Sequence, residues 1–362
     1  MKNICFYISD YGFGHASRSI AIVRAIIKSR PDVKFFLKAD TTYDFLKQSL
    51  SEKNIEVIRT KNDIGIVADR DSFSIDGART EAELSRWVGS WNEYLDQERS
   101  FCKSTRIDLV LSDVPPQPFI VSKELGIPGV AISNFSWHLI FSRLFGNIED
   151  VKKLQDAYSL ADIALVLPYD TDMSIFPRRQ DIGLISREIT VNRDRMRRNI
   201  GINRNDLLIY ASVGIYDSPE LHDNVHIFNG RNVRFIASAN CKPCMDNVIT
   251  IPGEETEIQN YIAMCDLVIS KVGYSTVSEA TRGKVPMLLF RREGFAEDVY
   301  IANTVKHLGI GNEISKDSLA NGEWISELKN IDAYKHNFDT IDERYKKDGT
   351  EEVVEVVDEA LS

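Results

Sequence analysis

Asn3-Ile-Cys-Phe-Tyr-Ile8, followed at once by Ser9-Asp-Tyr-Gly-Phe-Gly-His-Ala-Ser-Arg18, is the stretch on which the fold turns. Ile4–Ile8 is a continuous apolar run, the pattern of a strand buried on both faces. Gly12 and Gly14 make a turn directly after it. Ile20, Val23 and Ile27 then recur at helical spacing until Pro31. Val33–Leu37 is a second apolar run. Strand, glycine turn, helix, strand is the opening of a parallel sheet covered by helices.

Working outward, the same alternation continues. Ile55–Ile58, Ile107–Leu111, Gly129–Ser133 and Ile163–Leu167 read as further strands, and Ile107–Leu111 runs into Ser112-Asp-Val-Pro-Pro116. Leu84, Trp87, Val88, Trp91 and Leu95 mark an amphipathic helix of several turns. Pro168–Asn205 breaks the pattern and carries seven arginines from Arg178 to Arg198. It reads as a linker with a lead-in helix, its charge either a solvated hinge or an anion-facing surface for a phosphorylated acceptor. The alternation then restarts with Leu207–Val213, Val233–Ala237, Val248–Ile251, Leu267–Ser270 and Met287–Phe290. A helix spans about Ser275 to Arg282, and Val353–Leu361 is a helical tail. The expected fold class is α/β, with two Rossmann-like doubly wound domains.

Length and composition agree with this. A chain of 362 residues has room for two domains. Its 43% hydrophobic and 27% charged residues are ordinary for a folded soluble protein. No apolar run reaches the length of a membrane span, and the first residues read as a buried strand, not a signal peptide. A formal net charge of −10 argues against nucleic acid as the main partner. Cysteines at 5, 102, 241, 244 and 265 are scattered, as expected of reduced thiols in a cytoplasmic protein. Cys241-Lys-Pro-Cys244 has redox-motif spacing but no second pair to complete a zinc site. His138, His222, His226, His307 and His336 show no ligand spacing either, so no metal is expected.

Three motifs carry chemistry. In the first, Gly12 and Gly14 allow close backbone approach, and His15 opens a helix. There the helix dipole favours a neutral, proton-accepting ring, exposed at the sheet edge. A tight turn with a packing histidine is the plainer reading. A dinucleotide fingerprint fits poorly, because Ser17 stands where a third glycine belongs. In the second, Gly273, Ser275 and Thr276 precede a helix whose first amides can bind a diphosphate. Glu279, one turn further, can accept ribose hydroxyls, or it can close a capping box with Thr276. Both readings stand on the pattern alone. In the third, Glu297 and Asp298 can accept sugar hydroxyls or simply acidify the start of a helix Val299–His307.

Together these stretches resemble GT-B-fold glycosyltransferases, including the MurG-type N-acetylglucosaminyltransferases. They are closer still to the glycosyltransferase-like N-terminal half of plant L-arabinokinases. The shared residues are Phe6–Ile8, Gly12–Arg18, Ser112–Pro115, Ser133–Trp137, Lys271–Ala280 and Arg291–Asp298, in the same order along nearly the whole chain. The resemblance implies two domains facing across a cleft. Residues 1–168 would form the acceptor side, 169–204 a linker and 205–340 the nucleotide-sugar domain, with 341–362 packing back toward the N-terminal domain. It implies Glu279 as a ribose ligand and Glu297 and Asp298 as donor-sugar contacts, although Asp298 departs from the usual Gln. Gly12, Gly14 and His15 match the acceptor-side loop. The shared stretches lie in the half of those proteins without the kinase, so the resemblance implies no kinase activity for them. The expected reaction is metal-independent transfer from a nucleotide diphosphate sugar, a UDP-sugar in the first instance, to an unknown acceptor hydroxyl. The type would be hexosyl- or N-acetylhexosaminyltransferase. The donor is a substrate, and no cofactor is expected. His15 would be the base, with Asp113 orienting it or replacing it. The leaving diphosphate would rest near Gly273–Thr276 and near Ser212–Gly214. Sugar-nucleotide hydrolysis, epimerisation or binding without catalysis are the alternatives on the same fold.

Overall fold

The computed structural model describes residues 1–67, 75–203, 206–212, 233–237 and 246–362. The chain folds into two compact units.

The first unit comprises Met1–Val67, Ile75–Ile185 and Lys347–Ser362. Its strands are β1 (Lys2–Ile8), β2 (Val33–Ala39), β3 (Ile55–Arg59), β4 (Leu109–Asp113), β5 (Gly129–Ser133), β6 (Ile163–Val166) and β7 (Arg179–Asp181). All pair in parallel, in the order 3-2-1-4-5-6-7. The order reverses between β1 and β4, where Ile8 lies beside Asp113. Such a switch point leaves a crevice at the carboxyl ends of the strands, the usual ligand position in open α/β sheets.

The helix Phe13–Ser29 follows β1 and is buried on most of its circumference, from His15 through Val23 and at Ile26. A helix buried all round needs cover on two sides. The sheet gives one; the C-terminal helix Gly349–Ala360 gives the other. Arg30 pairs with Asp358 at 2.8 Å where the two helices meet. The return is pinned where Leu184 N–H donates to the Lys347 carbonyl and Gly349 N–H to that of Leu184. A Cβ on Gly349 would collide with the Gly183 backbone, so this crossing requires glycine.

The second unit contains Ser186–Lys346. Its strands are β8 (Leu207–Ser212), β9 (Val233–Ala237), β10 (Val248–Thr250), β11 (Leu267–Lys271), β12 (Met287–Phe290) and β13 (Gly311–Glu313). They are parallel in the order 10-9-8-11-12-13, which repeats the first six positions of the other sheet. The switch point falls between β8 and β11. Ile209, Phe235, Ile269, Leu288 and the fully buried Trp324 form the core, with Trp324 edge-on to Phe235 at 6.1 Å.

Several sequence expectations are corrected. The helix expected through Leu84–Leu95 is two, Gly77–Gly89 and Trp91–Thr105, broken at Ser90. The strand expected at Ile107–Leu111 starts at Leu109 and ends at Asp113, so Asp113 is its last residue. Residues 169–204 are not a separate linker: β7 belongs to the first sheet, and the chain passes to the second unit at Ser186. The arginines there are not uniformly a solvated hinge. Arg197 is buried and, with Arg193, reaches Asp266 and the Met264 carbonyl. Cys5, Cys102 and Cys265 are buried and unpaired; Cys241, Cys244, His222 and His226 lie outside the described residues. No helix among the described residues is long and apolar enough to cross a membrane.

Candidate functional site

The first cluster sits at the switch point of the first sheet. Gly12 ends the turn after β1 with φ +97, a conformation that strains any other residue, and it caps the helix that follows. Gly14 is the second residue of that helix and His15 the third. His15, Arg18 and Ser19 stand at i, i+3 and i+4, on one helical face, and all three converge on Asp113. The His15 Nδ1 lies 2.9 Å from Asp113 Oδ1. Arg18 grips both carboxylate oxygens, Nε to Oδ2 at 2.6 Å and Nη2 to Oδ1, while Ser19 Oγ donates to Oδ2 at 3.3 Å. The Arg18 Nη1 donates to Asn134 Oδ1 at 2.7 Å. Burial alone would raise the Asp113 carboxyl, but the Arg18 guanidinium and then His15 overcome it and hold the group below its ordinary value. An ionised Asp113 can only accept from Nδ1, and Arg18 Nη2, 3.0 Å from the same nitrogen, can only donate to it, so these two neighbours ask for opposite tautomers of the ring.

The expected exposure of the imidazole at the sheet edge is corrected. His15 is 7% exposed, drawn inward by Asp113 and flanked by Phe135 with ring centroids 5.8 Å apart. Immediately after Asp113, Val114 has φ +81, costly for a buried β-branched residue. The Tyr158 hydroxyl holds that turn, donating to the Val114 carbonyl at 2.7 Å and accepting the Trp137 N–H at 3.0 Å. One phenol thus ties the β4 loop to the β5 loop.

A second acidic group lies nearby and was not singled out in the sequence. Asp63 is fully buried and accepts the Asp10 N–H at 2.8 Å and the Trp137 indole N–H at 2.7 Å. Burial, and then the neighbouring Asp10, push its carboxyl from the ordinary 3.8 to about 7. A carboxyl raised on folding stabilises the native state fully below its unfolded value, and that stability is lost as pH rises through the folded value. At about 1.4 kcal/mol for each pH unit between the two, the native state should lose on the order of 4 kcal/mol from this group between about pH 4 and pH 7. Urea unfolding of wild type and Asp63→Asn across this range is the check. The difference between the two curves should change with pH; parallel curves would rule out the raised carboxyl.

The second cluster sits at the switch point of the second sheet. Ser212 is the last residue of β8 and pairs with Ser270 of β11; Gly214 lies outside the described residues. The helix Tyr274–Arg282 starts directly after β11 with Gly273 as its N-cap, so Ser275 and Thr276 lie in its first turn. At Gly273 the backbone is extended, and a Cβ would meet nothing within 4 Å. Among the described residues neither strain nor packing accounts for this glycine, and its missing side chain leaves open space at the helix start. The capping-box reading of Thr276 and Glu279 is excluded: the cap is three residues earlier, and the Glu279 carboxylate faces a side chain. Arg187 holds it, Nε at 2.9 Å and Nη2 at 2.8 Å. Burial raises the Glu279 carboxyl, against the pull of Arg187.

Glu297 and Asp298 do acidify a helix start, but the helix runs Ala296–His307, three residues longer than expected. Asp298 is fully buried and committed to the loop before it. It accepts the Arg292 N–H at 2.7 Å and the Arg292 guanidinium at 3.1 and 2.5 Å. That clasp explains an acid in place of an amide here: two guanidinium donors need an acceptor-only partner. Glu297 Oε2 is 3.9 Å from the same guanidinium. The sequence had placed Arg292 beside these acids but had not paired it with them.

No family model matches the sequence. Among curated proteins, the L-arabinokinase of Arabidopsis thaliana is 26% identical over 331 residues, 90% of this chain and 31% of that protein. The chain therefore spans about a third of that relative's length. Among solved structures, Arabidopsis thaliana UGT89C1 complexed with UDP matches with a TM-score of 0.68 at 12% identity, covering 100% of both chains. Phytolacca americana UGT2 complexed with UDP-2fluoro-glucose and pterostilbene gives 0.68 at 12% identity, again over 100% of both. CalG4, the calicheamicin glycosyltransferase, gives 0.64 at 14% identity, over 99% of this chain and 98% of its own. With two parallel sheets of one repeated strand order and matches of this extent, the chain has the GT-B fold of glycosyltransferases.

Proposed function

We propose that the chain transfers a sugar from a UDP-sugar to an acceptor hydroxyl. The observation that carries this reading is the buried His15–Asp113 pair at the switch point of one sheet of a GT-B fold. A transferase needs a base for the acceptor proton and positive potential for the leaving diphosphate. His15 is the base, acting through Nε2 in the tautomer that donates Nδ1–H to Asp113. The first-turn amides around Gly273, Ser275 and Thr276 hold the diphosphate, the task a metal ion performs in other transferases. Glu279 takes the ribose, and Glu297 the donor sugar. Asp298 shapes the loop through Arg292. The UDP and UDP-2fluoro-glucose in the complexes of UGT89C1 and UGT2 support a uridine donor.

A thermal-shift screen against nucleotides and UDP-linked hexoses and N-acetylhexosamines tests the donor. A ligand at 100 times its dissociation constant should add about 2.7 kcal/mol of stability. The stabilising donor is then incubated with a metabolite extract and with buffer alone, and products are read by mass spectrometry. Transfer requires a glycosylated product and UDP only when the extract is present. Free sugar released in buffer at the same rate would mark a hydrolase. Binding with no turnover would mark a sensor.

A further inference from the structure

Glu279 is 3% exposed, and both of its contacts with Arg187, the hydrogen bond from Nε and the ion pair with Nη2, fall on one oxygen, Oε1. No hydrogen bond reaches Oε2 among the described residues. An ionised carboxylate offers about four acceptor directions, and the described residues engage only those of Oε1. Arg187 is itself 2% exposed and anchored on its far side, where Nη1 donates to the Thr256 carbonyl. Its guanidinium is therefore a fixed fork between the backbone ahead of the helix Ile258–Ala263 and the middle of the helix Tyr274–Arg282. A planar fork with two donors on one oxygen sets the direction of the other oxygen, which a single ammonium cannot do.

Resting on the donor reading above, we infer that Arg187 is a positioning residue for ribose recognition: it holds Glu279 Oε1 and so aims Oε2 at a ribose hydroxyl of the bound nucleotide. Arg187 touches no part of the nucleotide in this arrangement. Its charge opposes the burial that raises the Glu279 carboxyl, and its fork sets the carboxylate plane. The functional unit for ribose is then an ion pair, drawn from two segments 92 positions apart.

Calorimetric titration of UDP, 2′-deoxy-UDP and 3′-deoxy-UDP into wild type, Arg187→Met, Arg187→Lys and Glu279→Gln tests this without an acceptor. Wild type should prefer UDP over at least one deoxy analogue by about 10–100-fold, the range for hydrogen bonds to a charged group. Arg187→Met and Glu279→Gln should bring that ratio close to one, with the affinity for the disfavoured deoxy analogue within about threefold of wild type. A general loss of structure would instead weaken all three ligands together. Arg187→Lys, with one donor, should give an intermediate ratio. The inference is overturned if folded Arg187→Met keeps the full ratio. It is also overturned if that variant loses UDP and both analogues equally, which would place Arg187 on the phosphates. Should Arg187→Met not fold, an unchanged ratio in Arg187→Lys overturns it. Wild type that binds UDP without preferring it refutes the inference and leaves the donor reading intact. Wild type that binds no nucleoside diphosphate refutes the donor reading itself.

Discussion

Turnover should fall by about 10²–10⁴-fold in His15→Ala, the range expected when a positioned general base is removed, with donor affinity nearly unchanged. His15 and Asp113 belong to the first sheet, whereas Glu279 and the helix start at Gly273 belong to the second. Loss of the imidazole removes the proton acceptor and leaves every proposed donor contact in place. Asp113→Asn separates orientation from charge. Asparagine can still accept from His15 Nδ1 through its carbonyl, but it no longer answers the Arg18 charge. Its effect on turnover should equal or fall below that of His15→Ala if Asp113 acts only through the ring. The measurement is initial-rate UDP release with the acceptor found in the screen, alongside calorimetric donor affinity. A folded His15→Ala enzyme with near-wild-type turnover would show that the histidine only packs beneath the turn. The low exposure of the ring gives that outcome a physical basis, because a buried imidazole also fills space beside Phe135.

Arg18→Met should cost about 3–5 kcal/mol of stability, the penalty for breaking a buried ion pair from one side. Arg18 is 1% exposed and Asp113 is fully buried. With the guanidinium gone, Asp113 must either stay ionised against burial or take up a proton and give up its depressed value. Asn134 Oδ1 also loses the Arg18 Nη1 bond. Much of this cost comes from the orphaned partners, so Asp113→Leu combined with Arg18→Met should recover part of the loss. Urea unfolding of the single and double variants is the check. A single-variant loss under about 1 kcal/mol, in the range of a surface pair, would mean that water reaches the site and the pair is not sealed. The double variant should lose turnover even if stable, since His15 would then lack the carboxylate beside its Nδ1.

The chemistry of two parallel sheets was largely legible along the chain. Strands buried on both faces must be continuous apolar runs, and Ile4–Ile8, Gly129–Ser133 and Met287–Phe290 are such runs. The glycines at 12 and 273 marked the places where helices start close to strand ends. One edge strand of each sheet was not legible. Arg179–Asp181 and Gly311–Glu313 contain no apolar run, and they become strands because β6 and β12 offer them a backbone edge. Ser90 gave no warning of the break between two helices that share one apolar stripe.

The residue types of the site were written locally, and their partners were not. His15, Arg18 and Ser19 share a face by helical geometry alone, but that they converge on one carboxylate was not legible in the sequence. It determined Gly273, and it offered Glu279 two roles. The resemblance had offered Asp113 as the group orienting His15, and the tertiary structure makes the contact across 98 residues, because the order 2-1-4 puts β4 beside β1. Only the tertiary structure paired Arg187 with Glu279 and Arg292 with Asp298. Charge in a sequence does not state whether water or a counter-ion will surround it. That is settled when the fold removes the water, and a buried carboxylate then takes whichever cation the folded chain brings within reach.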